Sequence, residues 1–245
     1  MKTKLTIKSF GITDIGLSRK KNEDYFKEIK EHNFFLLADG MGGHKAGEIA
    51  AKKAVEIIQE YFLQSKSNTL DAQKKNLYDS IKKANSDIYQ LSLERPGFRG
   101  MGTTLCALYI HENKALIGHV GDSRIYRYRN DLVCQLTNDH SLISELIKTR
   151  HVEEDEPLPS PHRNVITKAL GPASFVEPEI ESYSLEPGDT ILMCSDGLSD
   201  YVSERRMHKI LSRNIPLETK AYYFVELAKQ RKSQDNITLI LLEIH

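Results

Sequence analysis

Apolar positions along the chain follow two rhythms. In one, nearly every residue is apolar for four to eight positions: Phe34-Phe35-Leu36-Leu37, Thr103–Ile110, Lys114–Val120, Asp189–Cys194 and Ile237–Ile244. Short runs of this kind, bounded by turn residues, predict strands covered on both faces. Arg124–Tyr128 adds a further extended piece, and the links His111-Glu112-Asn113 and Gly121-Asp122-Ser123 are of hairpin size. The other rhythm is helical. Ala50, Ala54, Ile57, Ile58, Tyr61 and Phe62 share one stripe of a helix predicted from Glu48 to about Gln64. After the polar Ser65-Lys66-Ser67-Asn68, a second helix is marked by Leu77, Ile81, Ala84, Ile88 and Leu91, and Pro96-Gly97 ends it. Two more helical patterns cover about Ser203–Arg213 and Leu217–Arg231. Helical stripes of this width pack on a core, so the pattern predicts an α+β fold with helices laid on β-sheets.

The remaining stretches do not interrupt this organisation. There is no repeat, low-complexity tract or Gly/Ser linker, so residues 1–245 are expected to form one domain. Asn138 to about Pro161 is polar, with a short helical pattern and the acidic run Glu153-Glu154-Asp155-Glu156. Patterned chain resumes directly after it, which predicts a surface flap at about 138–161.

Charge narrows the partners. Lys and Arg balance Asp and Glu at a formal net charge of zero, so no global field favours nucleic acid or an acidic membrane. The basic cluster Arg19-Lys20-Lys21 is too short for a nucleic-acid footprint. The three cysteines, Cys106, Cys134 and Cys194, lack metal or redox spacing, and two lie in apolar runs. Reduced thiols and a cytoplasmic setting are expected. The basic opening residues carry no apolar segment, and no apolar run approaches a membrane span.

Candidate chemistry gathers at strand boundaries. Asp39 follows the apolar run that ends at Leu37-Ala38 and opens Asp39-Gly40-Met41-Gly42-Gly43-His44. Asp196 follows the run ending at Cys194, Asp235 precedes the run starting at Ile237, and Asp24 stands in the polar segment before Phe34. Each alone reads as a turn-forming or capping aspartate. Brought together by neighbouring strands, they would form a cluster of like charges that needs cations, and all-oxygen ligands select magnesium or manganese.

These residues carry a resemblance. Arg19 with Asn22-Glu23-Asp24, the Asp39–His44 stretch, Gly100-Met101-Gly102-Thr103-Thr104, His119-Val120-Gly121-Asp122-Ser123-Arg124, Leu136–Ser141, Ser195-Asp196-Gly197-Leu198 and Asp235-Asn236 occur in the order found in metal-dependent serine/threonine protein phosphatases of type 2C. The chain resembles the bacterial branch of that family, from about Gly11 to Ile244. The resemblance implies a β-sandwich of two antiparallel sheets, flanked by helices on both faces, with two Mn2+ or Mg2+ ions at one edge. Carried over by position, Asp39 bridges both ions, Gly40 ligates through its carbonyl, Asp196 and Asp235 hold one ion, and Asp24 acts through bound water. Asp122 belongs to a weaker third metal site, or is a hairpin-turn aspartate. Arg19 takes the substrate phosphate: its fork matches two phosphate oxygens, where lysine offers a point charge.

The implied reaction is hydrolysis of phosphoserine and phosphothreonine in proteins by a metal-activated bridging hydroxide, reversing serine/threonine kinase signalling. The partners implied are phosphorylated proteins and a cognate serine/threonine kinase, and a monomer is expected. No cysteine has an arginine six positions later, so the nucleophile loop of the tyrosine phosphatases is absent. One position departs from the family's eukaryotic branch. Met41 stands where those relatives carry a histidine proposed as the acid, which leaves His44 as either the acid or a histidine near the phosphate. A non-hydrolysing phosphoprotein binder would lack part of the acid set, and here every acid is present.

Overall fold

The computed structural model describes residues 5–41, 46–65, 69–142 and 165–245. The described strands are β1 (Ile7–Asp14), β2 (Asp24–Ile29), β3 (Phe34–Met41), β4 (Gly102–Thr103), β5 (Leu105–His111), β6 (Lys114–Val120), β7 (Arg124–Arg129), β8 (Leu132–Gln135), β9 (Glu179–Ser184), β10 (Thr190–Cys194) and β11 (Ile237–Ile244). The described α-helices are α1 (Ala46–Leu63), α2 (Leu70–Glu94), the single turn α3 (Asp196–Ser199), α4 (Glu204–Leu211) and α5 (Leu217–Gln230). One sheet has the order β1-β11-β10-β7-β8, and the other β2-β3-β5-β6-β9 with β4 added on β3. The named strand pairs are antiparallel throughout.

The strand alternation explains the continuous apolar runs. Phe34, Leu36 and Ala38 of β3 face a core shared with α1 and α2, whereas Phe35 and Leu37 face a core between the sheets. In β11, Ile240, Leu242 and Ile244 enter the inter-sheet core, and Ile237, Leu239 and Leu241 pack with α4 and α5. A strand with both faces covered has no polar face, because successive side chains point to opposite sides. The result is four layers, helices–sheet–sheet–helices, an α+β sandwich. The first helical layer sits close because α1 presents Ala46, Ala50, Ala51 and Ala54. The Thr69 hydroxyl caps α2 by accepting from the Ala72 amide at 3.3 Å.

Several expectations needed correction. The 111–113 link is a β5–β6 hairpin, but the 121–123 link is not a hairpin. β6 belongs to one sheet, and β7 pairs with β10 and β8 in the other. Gly121-Asp122-Ser123 is therefore a corner where the chain changes sheet. Gly121 takes φ +107 there, and a Cβ would lie 2.7 Å from the Thr104 methyl. β1 and β2, on either side of the polar segment that holds Arg19, are strands of eight and six residues that the apolar pattern does not mark. β9 is a strand that periodicity did not mark, since its segment Glu-Ile-Glu-Ser-Tyr-Ser is only partly covered. No described helix is long and apolar enough to cross a membrane. Cys106 and Cys194 are buried, Cys134 is exposed, and all three are free thiols.

Candidate metal and phosphate site

The strand register brings the acids to one edge of the sandwich. Asp24, the first residue of β2, is the register partner of Asp39 near the end of β3. Cys194 ends β10 opposite Leu239 near the start of β11, so Asp196 and Asp235 flank the same end of that pair. Arg124 opens β7 opposite Cys194, which carries the 121–123 corner to this edge as well. Asp39, Gly40, Asp196 and Asp235 line a cleft of about 490 Å³ together with Arg19, Lys20 and Lys21. Asp24 and Asp122 are buried beside it, each 8% exposed.

Hydroxyl side chains hold the acids in place. The Asp39 amide donates to Thr104 Oγ1 at 3.0 Å, and the Asp39 carbonyl accepts from the Thr104 amide and the Thr103 hydroxyl, both at 2.9 Å. Thr104 Oγ1 also lies 2.7 Å from Ser123 Oγ, which ties the Asp39 strand to the Asp122 corner. Ser195 Oγ donates to Asp24 Oδ2 at 2.9 Å and accepts from the Thr238 amide at 3.1 Å. At Gly40 a Cβ would stand 2.3 Å from the Gly47 carbonyl oxygen and 2.6 Å from that of Glu23. Only glycine lets β3 pass this close to the start of α1.

The electrostatics follow from crowding. Burial holds the Asp39 carboxyl well above the usual carboxylate range, and Asp24, Asp196, Asp235 and Asp122 add like charge. Asp196 is raised in the same way by burial and by Asp122, Asp235, Asp200 and Asp24. Burial pushes Asp24 up to about 6 and Asp122 up to about 7, the latter also through Asp139 and Asp200. Asp122 Oδ1 and Asp196 Oδ1 are buried without a hydrogen-bond partner among the described residues. Unpaired buried carboxylate oxygens are costly, and an all-oxygen set of this charge fits hard divalent cations. Across the cleft mouth, Arg19 Nη2 contacts Asp235 Oδ2 at 2.5 Å.

A different group, His119, His140 and Glu179, brings three ligand-type atoms within 4.8 Å of one another. Its hydrogen bonds suit another task. His140 Nδ1 accepts from the Gly121 amide at 3.0 Å, so these partners assign the ring proton to Nε2, which faces Glu179 Oε1 at 3.0 Å. A cation on Nε2 would drive that proton to Nδ1, against the Gly121 N–H. His119 Nε2 lies 2.9 Å from the Ser123 carbonyl. The two rings, 5.0 Å apart, brace the sheet-changing corner from both ends.

The structure thus brings together Arg19, Asp39, Gly40, Asp196 and Asp235 in the cleft, with Asp24 and Asp122 buried next to it. His44 lies outside the described residues, as does most of the expected flap. The described base of that flap is closed by Leu142 N donating to the Val165 carbonyl at 2.9 Å and by the Ser141–Ile166 bridge. Ile166 reaches the cleft wall.

The protein phosphatase 2C family profile matches residues 18–230, which include every acid of this site except Asp235. The chain belongs to the protein phosphatase 2C family. It is 35% identical over 237 residues to the protein phosphatase PhpP of Streptococcus pneumoniae, covering 96% of each chain. Its fold superposes on the serine/threonine phosphatase of S. agalactiae with a TM-score of 0.93 at 34% identity, covering 98% of this chain and 100% of that one. The catalytic domain of the serine/threonine protein phosphatase PstP, solved in complex with 2 manganese ions, matches with a TM-score of 0.86 at 31% identity over 98% and 99% of the two chains. This phosphatase is therefore a metal-dependent protein-serine/threonine phosphatase, a phosphoric monoester hydrolase.

Sequence reasoning assigned no role to Thr103, Thr104, Ser123, Ser195 or Asn236 of this phosphatase. Each adjoins a site acid in sequence or in hydrogen bonding, and each is at most 3% exposed. A small polar residue inside an otherwise apolar run was the available signal, since a buried hydroxyl or amide needs a partner.

Proposed function

We propose that this phosphatase hydrolyses phosphoserine and phosphothreonine in proteins at a site holding two Mn2+ or Mg2+ ions, with a weaker third ion near Asp122. The reading is carried by one observation: Asp24, Asp39, Asp196 and Asp235 converge at one sandwich edge, where burial and mutual repulsion hold Asp39 well above the usual carboxylate range although Arg19 pairs with Asp235. The 2 manganese ions of PstP support it by similarity. Asp39 would bridge the two ions, the Gly40 carbonyl and the carboxylates of Asp196 and Asp235 would complete their direct ligands, and Asp24 would act through water. Ions held there supply an acidified water as nucleophile and neutralise phosphoryl charge, so no covalent protein intermediate is required. Arg19 lies at the cleft mouth, where its guanidinium can pair with two oxygens of the incoming phosphate and hold phosphorus in line. The leaving alkoxide needs a proton, and His44 is the candidate donor.

Chelation tests the reading. The purified phosphatase should be inert in EDTA, and millimolar manganese or magnesium should restore hydrolysis of a phosphothreonine peptide. Calcium should substitute poorly, because its longer bonds and looser geometry suit such a site badly. Full hydrolysis in chelator sinks the metal mechanism. A folded, metal-binding but inert protein would instead mark a phosphoprotein binder.

A further inference from the structure

One buried side chain fixes the loop that carries Arg19. Asn236 is 3% exposed and stands between Asp235 and the first residue of β11. Its Oδ1 accepts from the Glu23 amide at 2.8 Å. Its Nδ2 donates to the carbonyls of Ile15 and Lys21, both at 2.9 Å. Ile15 and Glu23 are the two ends of the connection between β1 and β2, and Arg19 lies midway between them. Both amide hydrogens are used, so the side chain stitches the two ends of this connection together and to the start of β11.

The rest of the loop is held by polar contacts near its ends: Asn22 Nδ2 donates to Thr13 Oγ1 at 2.7 Å, the Gly16 amide to Asp14 Oδ1 at 2.8 Å and the Gly40 amide to the Glu23 carbonyl at 3.2 Å. Leu17 is 63% exposed and Arg19 half exposed, so apolar packing contributes little. The contacts nearest Arg19 lead to the residues just before Asn236. Gly16 takes φ +78, and a Cβ on it would lie 2.2 Å from the Asp235 carbonyl oxygen. Ser18 Oγ donates to Gln234 Oε1 at 2.8 Å. The arrangement also requires an amide at position 236. A carboxylate would set an oxygen against the carbonyls of Ile15 and Lys21 and add a charge beside Asp235.

We infer that Asn236 is a positioning residue for substrate capture: it sets where the Arg19 guanidinium meets the substrate phosphate. The inference rests on Arg19 being the phosphate-binding group. A loop released from Asn236 still carries its arginine but no longer presents it at a fixed distance from the acids, and capture of a dianion by a bidentate fork depends on that distance.

A double-mutant cycle tests it, with KM and kcat on a phosphothreonine peptide and Mn2+ affinity by calorimetry as readouts. Asn236→Ala should raise KM on the order of tenfold, the effect of losing buried hydrogen bonds that hold a charged contact, with a much smaller change in kcat. Its Mn2+ affinity should stay close to the wild-type value. In an Arg19→Ala background the same change should add almost nothing, because the group being positioned is gone. An additive effect overturns the positioning role while leaving Arg19 in the site. An unchanged KM in Arg19→Ala removes Arg19 from phosphate binding, and the inference falls with it. A loss of Mn2+ affinity in Asn236→Ala as large as that of Asp235→Asn assigns Asn236 to the metal site and also overturns the inference. If Asn236→Ala fails to fold by circular dichroism, Gly16→Ala displaces the same loop from its other contact. That variant should show the same rise in KM and the same non-additivity with Arg19→Ala, and a folded Gly16→Ala with wild-type KM counts against the proposal.

Discussion

Arg19 and Asp235, 216 residues apart in sequence, meet through Nη2 and Oδ2 at 2.5 Å. The other oxygen of Asp235 accepts from the Asn236 amide at 2.8 Å. Both oxygens of a proposed metal ligand are thus engaged by the protein itself, and a cation on Asp235 competes with the guanidinium. The pair is half exposed on the arginine side, which limits its strength to about 0.2–1 kcal/mol.

Arg19→Ala should therefore have two effects of opposite sign. Without substrate, Mn2+ should bind slightly more tightly, by up to about fivefold for a lost competitor of that strength. With phosphopeptide, KM should rise, at a cost of about 1.5–3 kcal/mol for a lost charge-assisted contact. Calorimetry and steady-state kinetics on one preparation read both. Weaker Mn2+ binding in the variant would show that Arg19 supports Asp235 rather than competing for it.

Asp39→Asn should separate stability from activity. Asp39 is held well above the usual carboxylate range by burial and by four neighbouring acids. A neutral side chain of the same shape removes that repulsion, so in chelator at pH 8 the variant should melt a few degrees higher, on the order of 1 kcal/mol. With manganese it should lose most of its activity. A lower melting temperature in chelator would contradict the electrostatic account of the cluster.

The metal-free protein should become more stable as pH falls from about 8 to 6.5. Asp39 and Asp196 are raised well above their ordinary value and Asp122 is raised to about 7, so the folded state binds protons that the unfolded state has released. Stability then falls as pH rises through these values and is recovered on acidification. Below about pH 6.5 an opposing effect enters. Burial holds His119 down to about 4, and protons taken up by this histidine in the unfolded chain favour unfolding. Thermal melts in EDTA across pH 8 to 6.5 check the direction, and saturating manganese should flatten the profile.

Gly40→Ala should cost the fold as well as the site. The added Cβ would meet backbone oxygens of Gly47 and Glu23, which no rotamer change can relieve. A loss of roughly 1–3 kcal/mol, typical of overpacking, should appear in urea denaturation together with weakened Mn2+ binding. Gly97→Ala has open space around it and serves as the control.

Much of this phosphatase was legible in its sequence because strand and helix periods are local. The apolar runs at 34–37 and 237–244 and the helical stripes at 50–62 and 77–91 read directly as covered strands and packed helices. The acids were legible through their place at the ends of such runs. The pairing of strands was not. A three-residue link has hairpin length whether or not its strands share a sheet, and Gly121-Asp122-Ser123 turned out to change sheets because β7 found its partners in β10 and β8. β9 carries no clear apolar rhythm because it is an edge strand, paired among the described residues with β6, and its polar side chains are partly exposed. The roles of Thr104, Ser195 and Asn236 depend on hydrogen bonds to residues dozens to hundreds of positions away. The sequence alone determined which residues could carry charge into a strand end. The tertiary structure decided which of them meet, because antiparallel register between distant strands is settled by burial of whole faces and not by any residue's immediate neighbours.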